Sequence, residues 1–275
     1  MAHGRSLELG PICLLMGILN VTPDSFSDGG LLDRDGAVVD TAKKMRAQGA
    51  SILDLGGESS RPGSATVDAS TEQERVLPAL RAVREACPEI LLSIDTYRAS
   101  TARLAVIQGA HIVNDVWGLQ REPDIAHVAA ETGAGLCIMH TGREREKLAD
   151  VIEDQKYFFA RSFEIALKAG VSESQIVIDP GFGFAKDADE NFELMARFAE
   201  LHELGFPILI GTSRKRFIGH ATGRDTADRD VGTAATTALM RAAGAAVIRV
   251  HDVAINRDAV TITDAMVDRL LAHGA

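Results

Sequence analysis

At 275 residues, 46% of them hydrophobic, the chain can build one large domain or two small ones around a sizeable core. A net charge of −10 and a pI near 5.3 argue against nucleic acid or an anionic membrane surface as a partner. The apolar runs reach only strand length, short of the ~20 residues of a membrane span, and no secretory pattern opens the chain, so a cytoplasmic protein is expected.

Residues 1–11 show no periodicity and read as a short, partly disordered extension before a single domain over 12–275. An apolar run, Ile12 to Leu19, then stops at Asn20, and the polar stretch VTPDSFSDGG follows. That is a strand delivering an amide to its C-terminal end, then a long loop. Asp35 is placed to cap a helix with Val38, Ala42 and Met45 at helical spacing, ended by Gly49. ILDLGG is the second strand, GESSRPGSATVD a second polar loop, and a helix is expected from Ser70 to Ala86. LLSID, ending on Asp95, is the third strand; a helix covers Ser100 to Gln108. HIVNDV brings Asn114 and Asp115 to the end of the fourth, before a helix over Asp124 to Thr132. GLCIMH is the fifth strand, GREREK a solvated charged loop, and Val151 to Ala169 a helix.

IVID ends on Asp179, and the loop from Pro180 to Asp189 leads to a helix burying Leu194, Phe198 and Leu201. PILIG is the seventh strand, TSRKRFIGH its loop, and Ala227 to Ala243 the next helix. AVIRV is the eighth strand, and Asn256 to Ala272 a last helix with Ile262, Met266 and Leu270 inward. Cys13 and Cys137 lie inside apolar runs and read as buried, reduced thiols; with Cys87 they are too scattered for a metal knuckle or disulfide framework.

Each strand is a near-continuous apolar run, as parallel strands covered on both faces require. Eight strand–helix units, roughly 33 residues each, predict a (β/α)8 TIM barrel with long βα loops 1 and 2. A doubly wound open sheet is the alternative, weakened because no GxGxxG opens the first helix. In a barrel the C-terminal strand ends make the site. That ring holds Asn20, Gly56, Gly57, Asp95, Asn114, Asp115, His140, Asp179, Thr212, Ser213, Arg249 and His251. Carboxylates ending apolar strands are costly unless a donor meets them. Cations collect on the same side: Arg61, Arg214, Lys215, Arg216, Arg249 and His251. They suit a small anionic group, while Asp95, Asn114, Asp179 and Lys215 suit the edge of a flat, amide-like heterocycle. His140 reads as a satisfied structural histidine.

These residues occur within ordered motifs, GILNVTPDSFSDGG, DLGGESSRPG, SIDTYRA, HIVNDVWG, DPGFGFAKDADEN, GTSRKRFIG and RVHDV. From Met16 to Asp258 the chain resembles the dihydropteroate synthase family of the folate pathway, the sulfonamide target. The resemblance implies a TIM barrel in which 4-aminobenzoate attacks 6-hydroxymethyl-7,8-dihydropterin diphosphate. It implies Asp95, Asn114, Asp179, Lys215 and Arg249 at the pterin, with Lys215, Arg249, Asp95 and Asp179 catalytic. Asn20, Ser60, Arg61, Arg249 and His251 would face the diphosphate, Asn20 also contacting Mg2+. Thr22, Pro23, Arg61, Pro62 and Ser213 would face the aminobenzoate. A homodimer through the later helices is implied as well.

Three positions depart from the family pattern: Ser60 replaces Thr, Ala185 replaces a common Gly and predicts a stiffer loop, and TGREREK replaces a Gly-Pro-containing loop. The rival readings are a pterin-dependent corrinoid methyltransferase, an aldolase using Lys215, and a catalytically silent pterin-binding paralogue. The full set of clamp and loop residues weighs against each.

Overall fold

The computed structural model describes residues 2–10, 12–21, 31–59 and 66–272, and the side chains of all of these except 31–35 and 271. Eight strands, β1 (Leu14–Asn20), β2 (Ile52–Gly56), β3 (Leu91–Asp95), β4 (Ile112–Asp115), β5 (Gly135–Met139), β6 (Ile176–Asp179), β7 (Leu209–Ile210) and β8 (Val247–Val250), form one sheet in the order β6-β5-β4-β3-β2-β1-β8-β7. Every pairing is parallel. The ring closes where Ile178 bridges Ile208 and the Ile178 N–H donates to Pro207 O at 3.0 Å. The expected (β/α)8 barrel is therefore what the chain forms.

Around it lie α1 (Leu31–Ala47), α2 (Ala69–Ala86), α3 (Ala99–Ile107), α4 (Asp124–Thr132), α5 (Val151–Lys168), α6 (Ala188–Ala196), α7 (Arg216–Thr222), α8 (Asp230–Ala242) and α9 (Val253–Ala272). The strand period of two divides the apolar residues between two cores. Leu53, Leu55, Leu92, Ile94, Leu136, Ile138 and Ile248 pack outward against the helices. Met16, Ile52, Leu91, Ile112, Cys137, Leu209 and Val247, of the opposite parity, fill the lower barrel. The same inward parity, carried up the strands, presents Asp54, Ser93, Asp95, Asn114, Asp179 and Arg249 at the mouth. All three cysteines are buried and free. No helix among the described residues is long and apolar enough to cross a membrane.

Several local expectations change. The extension is tied down over its described residues: His3 Nε2 lies 2.8 Å from Val106 O, and Leu7 and Leu9 pack beneath the lower barrel core. Asp35 falls inside α1, which begins at Leu31, so it is not the cap. RFIGHAT, read as loop, is the helix α7, and the helix expected from Ala227 begins at Asp230 after a separate 3-10 turn. Ile262, Met266 and Leu270 face outward, at 74, 45 and 49% exposure. The inward stripe of α9 is instead Val253, Asn256, Val260 and Thr263. Two of those four are polar, and burial is tolerated because each is bonded: Asn256 Oδ1 accepts from Thr237 Oγ1 at 2.6 Å, and Thr263 Oγ1 donates to Ala259 O at 2.8 Å.

Candidate active site

Strand register builds the site. Asn20 pairs with Gly56, Gly56 with Asp95, and Asp95 with Asn114, so four successive strands end at one level. Arg249 reaches this level from β8. Its Nε donates to Asp54 Oδ2 at 2.7 Å and its Nη2 to Asp95 Oδ2 at 2.8 Å. Asn114 Nδ2 donates to the same Asp54 oxygen at 3.0 Å. Burial pushes the Asp95 carboxyl up to about 7; Arg249 pulls it down and Asp54 pushes it further up. Burial also opposes the Arg249 charge, but Asp54 and Asp95 outweigh it and hold the guanidinium firmly protonated.

Across the mouth, Asp179 ends β6 and accepts the Gly181 N–H at 2.7 Å. Burial pushes its carboxyl up while Lys215 draws it down. Lys215 enters from the loop after β7, immediately before α7. Its Nζ donates to Phe182 O and sits 4.3 Å from the Phe184 ring centroid. Burial lowers the ammonium to about 7, with Asp179 resisting. Ser213 Oγ lies 2.9 Å from His251 Nδ1, so the loops after β7 and β8 are joined at the rim.

The mouth thus offers acceptors at Asp95 and Asp179, an amide at Asn114, a cation at Lys215, and a guanidinium face at Arg249. A flat ring with adjacent N–H donors satisfies the carboxylates, and an anionic tail meets the cations. The family described as pterin binding enzyme matches residues 16–251. The chain belongs to this family. It is 44% identical over 250 residues to the dihydropteroate synthase of Streptococcus pyogenes serotype M3, covering 90% of this chain and 93% of that one. A dihydropteroate synthase from Clostridium difficile, solved in the presence of pteroic acid, superposes with a TM-score of 0.92 at 44% identity over 95% of this chain and 99% of the other. The Xanthomonas albilineans enzyme with 4-aminobenzoic acid gives 0.88 at 38% identity, covering 93% of each. The chain falls within the dihydropteroate synthase branch of the family.

In this pterin binding enzyme, not every expected residue joins the mouth. Arg214 turns away and forks onto Asp230, with Nε and Nη2 each 2.7 Å from a carboxylate oxygen, because its own φ of 57° redirects the side chain. Arg216 is exposed at the start of α7. Asp115 has the outward strand parity and accepts the Trp117 and Leu119 N–H groups at 2.8 and 2.6 Å, capping its own loop. His140 is the satisfied structural histidine expected, 3.0 Å from Asp154 Oδ2. The loop after it is not simply solvated: Arg145 donates to both Asp154 oxygens at 2.8 and 2.5 Å, and Arg143 lies 4.7 Å over the Phe184 ring. Thr22, Pro23, Ser60, Arg61 and Pro62 lie outside the described residues.

Asp54 is the residue that sequence reasoning missed. It is fully buried, and its Oδ1 has no hydrogen-bond partner among the described residues. The signal was available: a carboxylate inside ILDLGG, two residues before Gly56 and so on the same inward face. Phe184, stacked by two cations, was also overlooked.

Proposed function

We propose that this chain condenses 6-hydroxymethyl-7,8-dihydropterin diphosphate with 4-aminobenzoate, giving 7,8-dihydropteroate and diphosphate. The observation that carries the reading is the inward cluster of Asp54, Asp95, Asn114 and Arg249 facing Asp179 and Lys215 within a dihydropteroate synthase barrel. Asp179 and Asp95, as carboxylates, accept the N–H edge of the pterin, Asn114 completes that edge, and Lys215 donates to a ring acceptor. Arg249 lies along the ring face and reaches the diphosphate, which Ser60, Arg61 and His251 also receive. Thr22, Pro23, Arg61, Pro62 and Ser213 hold the aminobenzoate. The arylamine is neutral at pH 7, so its attack needs no strong general base. The donors lower the barrier by meeting charge as it develops on the leaving diphosphate.

Mg2+ fits as a passenger of the substrate rather than as a resident ion. Among the described residues no three His, Cys, Asp or Glu side chains converge. Asn20 offers one amide oxygen, and Mg2+ is commonly held by one or two protein oxygens plus substrate phosphates. When bound, it would neutralise leaving-group charge. The protein works in the cytoplasm as a homodimer and is a sulfonamide target. Support for the dimer comes from the apolar side chains left exposed on the later helices, Val231 and Leu239 on α8 and Ile262, Met266 and Leu270 on α9.

The test is to mix the protein with dihydropterin diphosphate, 4-aminobenzoate and Mg2+ and to follow diphosphate release with product identity. Aminobenzoate-dependent release with dihydropteroate formed supports the reading. Tight pterin binding without release would replace it with a silent paralogue or a methyltransferase.

A further inference from the structure

Behind the wall formed by Phe182 and Phe184 lies a second polar cluster with no place in the chemistry above. Lys186, at the end of the loop after β6, directs its Nζ inward to His140 Nδ1 at 2.8 Å and to Gly181 O at 3.0 Å. His140 is fully buried and places its Nε2 3.0 Å from Asp154 Oδ2. The lysine donates to Nδ1, while Nε2 faces both Asp154 Oδ2 and, at 2.9 Å, the Arg145 Nη2 donor. Burial holds this imidazole neutral, at about 3, with Lys186 pushing the same way and Asp154 resisting. Asp154 is fixed in turn by Arg145 and by the Leu148 N–H at 2.8 Å. The cluster therefore links Lys186, His140, Arg145 and Asp154 in one buried network.

The consequence lies in what the lysine holds. Gly181 offers its carbonyl to Lys186 and its N–H to Asp179 Oδ1, and the carbonyl of the next residue, Phe182, receives Lys215. The peptide group that Lys186 holds thus lies between the one that meets Asp179 and the one that meets Lys215. Nothing about this stretch is slack: Gly181, Gly183 and Ala185 all have positive φ, and a Cβ on Gly181 would strike the His140 carbonyl oxygen. We propose that Lys186 is a positioning residue: without touching the ligand, its ammonium locks Gly181 and Phe182 and so sets Asp179 and Lys215 for pterin binding. This rests on the reading of the mouth as a pterin site.

The lysine is a titratable lock. Burial lowers it to about 7, and Lys215 and Lys147 lower it further, while Asp179 and Asp154 raise it. The charged, locking form is present below that pKa and is lost as pH rises through it. Lys215 also loses its charge as pH rises through about 7. The alkaline fall of kcat/KM for dihydropterin diphosphate should therefore involve two protons.

The experiment compares wild type, Lys186→Met and Lys186→Arg by diphosphate release from pH 6 to 10, with 6-hydroxymethylpterin binding by calorimetry and thermal unfolding of each. Losing a charge-assisted hydrogen bond is expected to raise KM for the pterin diphosphate, and the pterin Kd, about 10-fold or more in Lys186→Met. Lys186→Arg, which stays charged, should restore both to within about 3-fold and show a one-proton alkaline fall. Should Lys186→Met not fold, Lys186→Gln reads the same loss of charge. An unchanged KM in a folded Met or Gln variant, or a two-proton fall retained in Lys186→Arg, overturns the proposal. A wild-type protein that neither binds the pterin nor releases diphosphate overturns the pterin reading itself and the proposal with it.

Discussion

Arg249 stands between a buried carboxylate, Asp54, and a half-buried one, Asp95, at the floor of the mouth. Both carboxylates meet the guanidinium, one through Nε and one through Nη2. Asp54→Asn keeps the shape but removes one partner of the guanidinium. The expected result is a fall in kcat/KM of about 10- to 100-fold, with Arg249 no longer held on the Asp54 side, measured by diphosphate release. The pH profile follows from the same groups. On the proposed reading Asp95 accepts from the ring as a carboxylate, and that form is lost as pH falls through about 7. On the same reading Lys215 and Lys186 act in their charged forms, and both are lost as pH rises through about 7. The kcat/KM profile of the free enzyme is therefore expected to be a narrow bell centred near neutrality, in assays spanning pH 5 to 9. Asp95, Asp179 and Lys215 were legible in the sequence because each terminates or follows an apolar strand. Asp54 was not, because leucines flank it and only strand parity separates it from the outward core.

At the scale of elements, all eight strands were readable, since a short apolar run ending on a polar residue has few other uses here, although only Leu209–Ile210 of PILIG pairs as strand. The helices were less so. RFIGHAT in α7 is only two turns long, too short for a repeating pattern against its charged flanks. In α9 two stripes compete at helical spacing, and the more apolar one is the one left outside. The loop between β6 and α6 shows a third effect, the replacement of a common glycine. Ala185 adopts φ 51°, a left-handed conformation that costs a side-chain-bearing residue about 1–2 kcal/mol. Ala185→Gly removes that strain but frees the unfolded chain by roughly 0.5–1 kcal/mol, so a net gain of up to about 1 kcal/mol is expected from chemical denaturation.

For the molecule as a whole, the exposed apolar stripe of α9 lies beside α8, whose own Val231 and Leu239 are also exposed. Ile262→Glu with Met266→Glu is expected to convert a dimer to monomers in sedimentation measurements while leaving the barrel folded, because neither side chain packs in its core. A monomeric wild type would show that the stripe serves no such contact. The fold class was legible from the strand–helix rhythm; which face of α9 packs on the barrel was not, since a buried and an exposed apolar stripe share the same spacing.

The barrel is a hoop with an uneven fastening. Six of its neighbouring strand pairs meet along registers of three to five residues or share β1, whereas β7 contributes two residues and meets β6 through a single bridge. Asp179 lies at the end of one side of that joint, and Lys215 follows the other. A ring gripped by both is a clasp: it closes the hoop at its narrowest fastening. On the proposed reading, ligand binding and the fastening of the barrel would then be the same event.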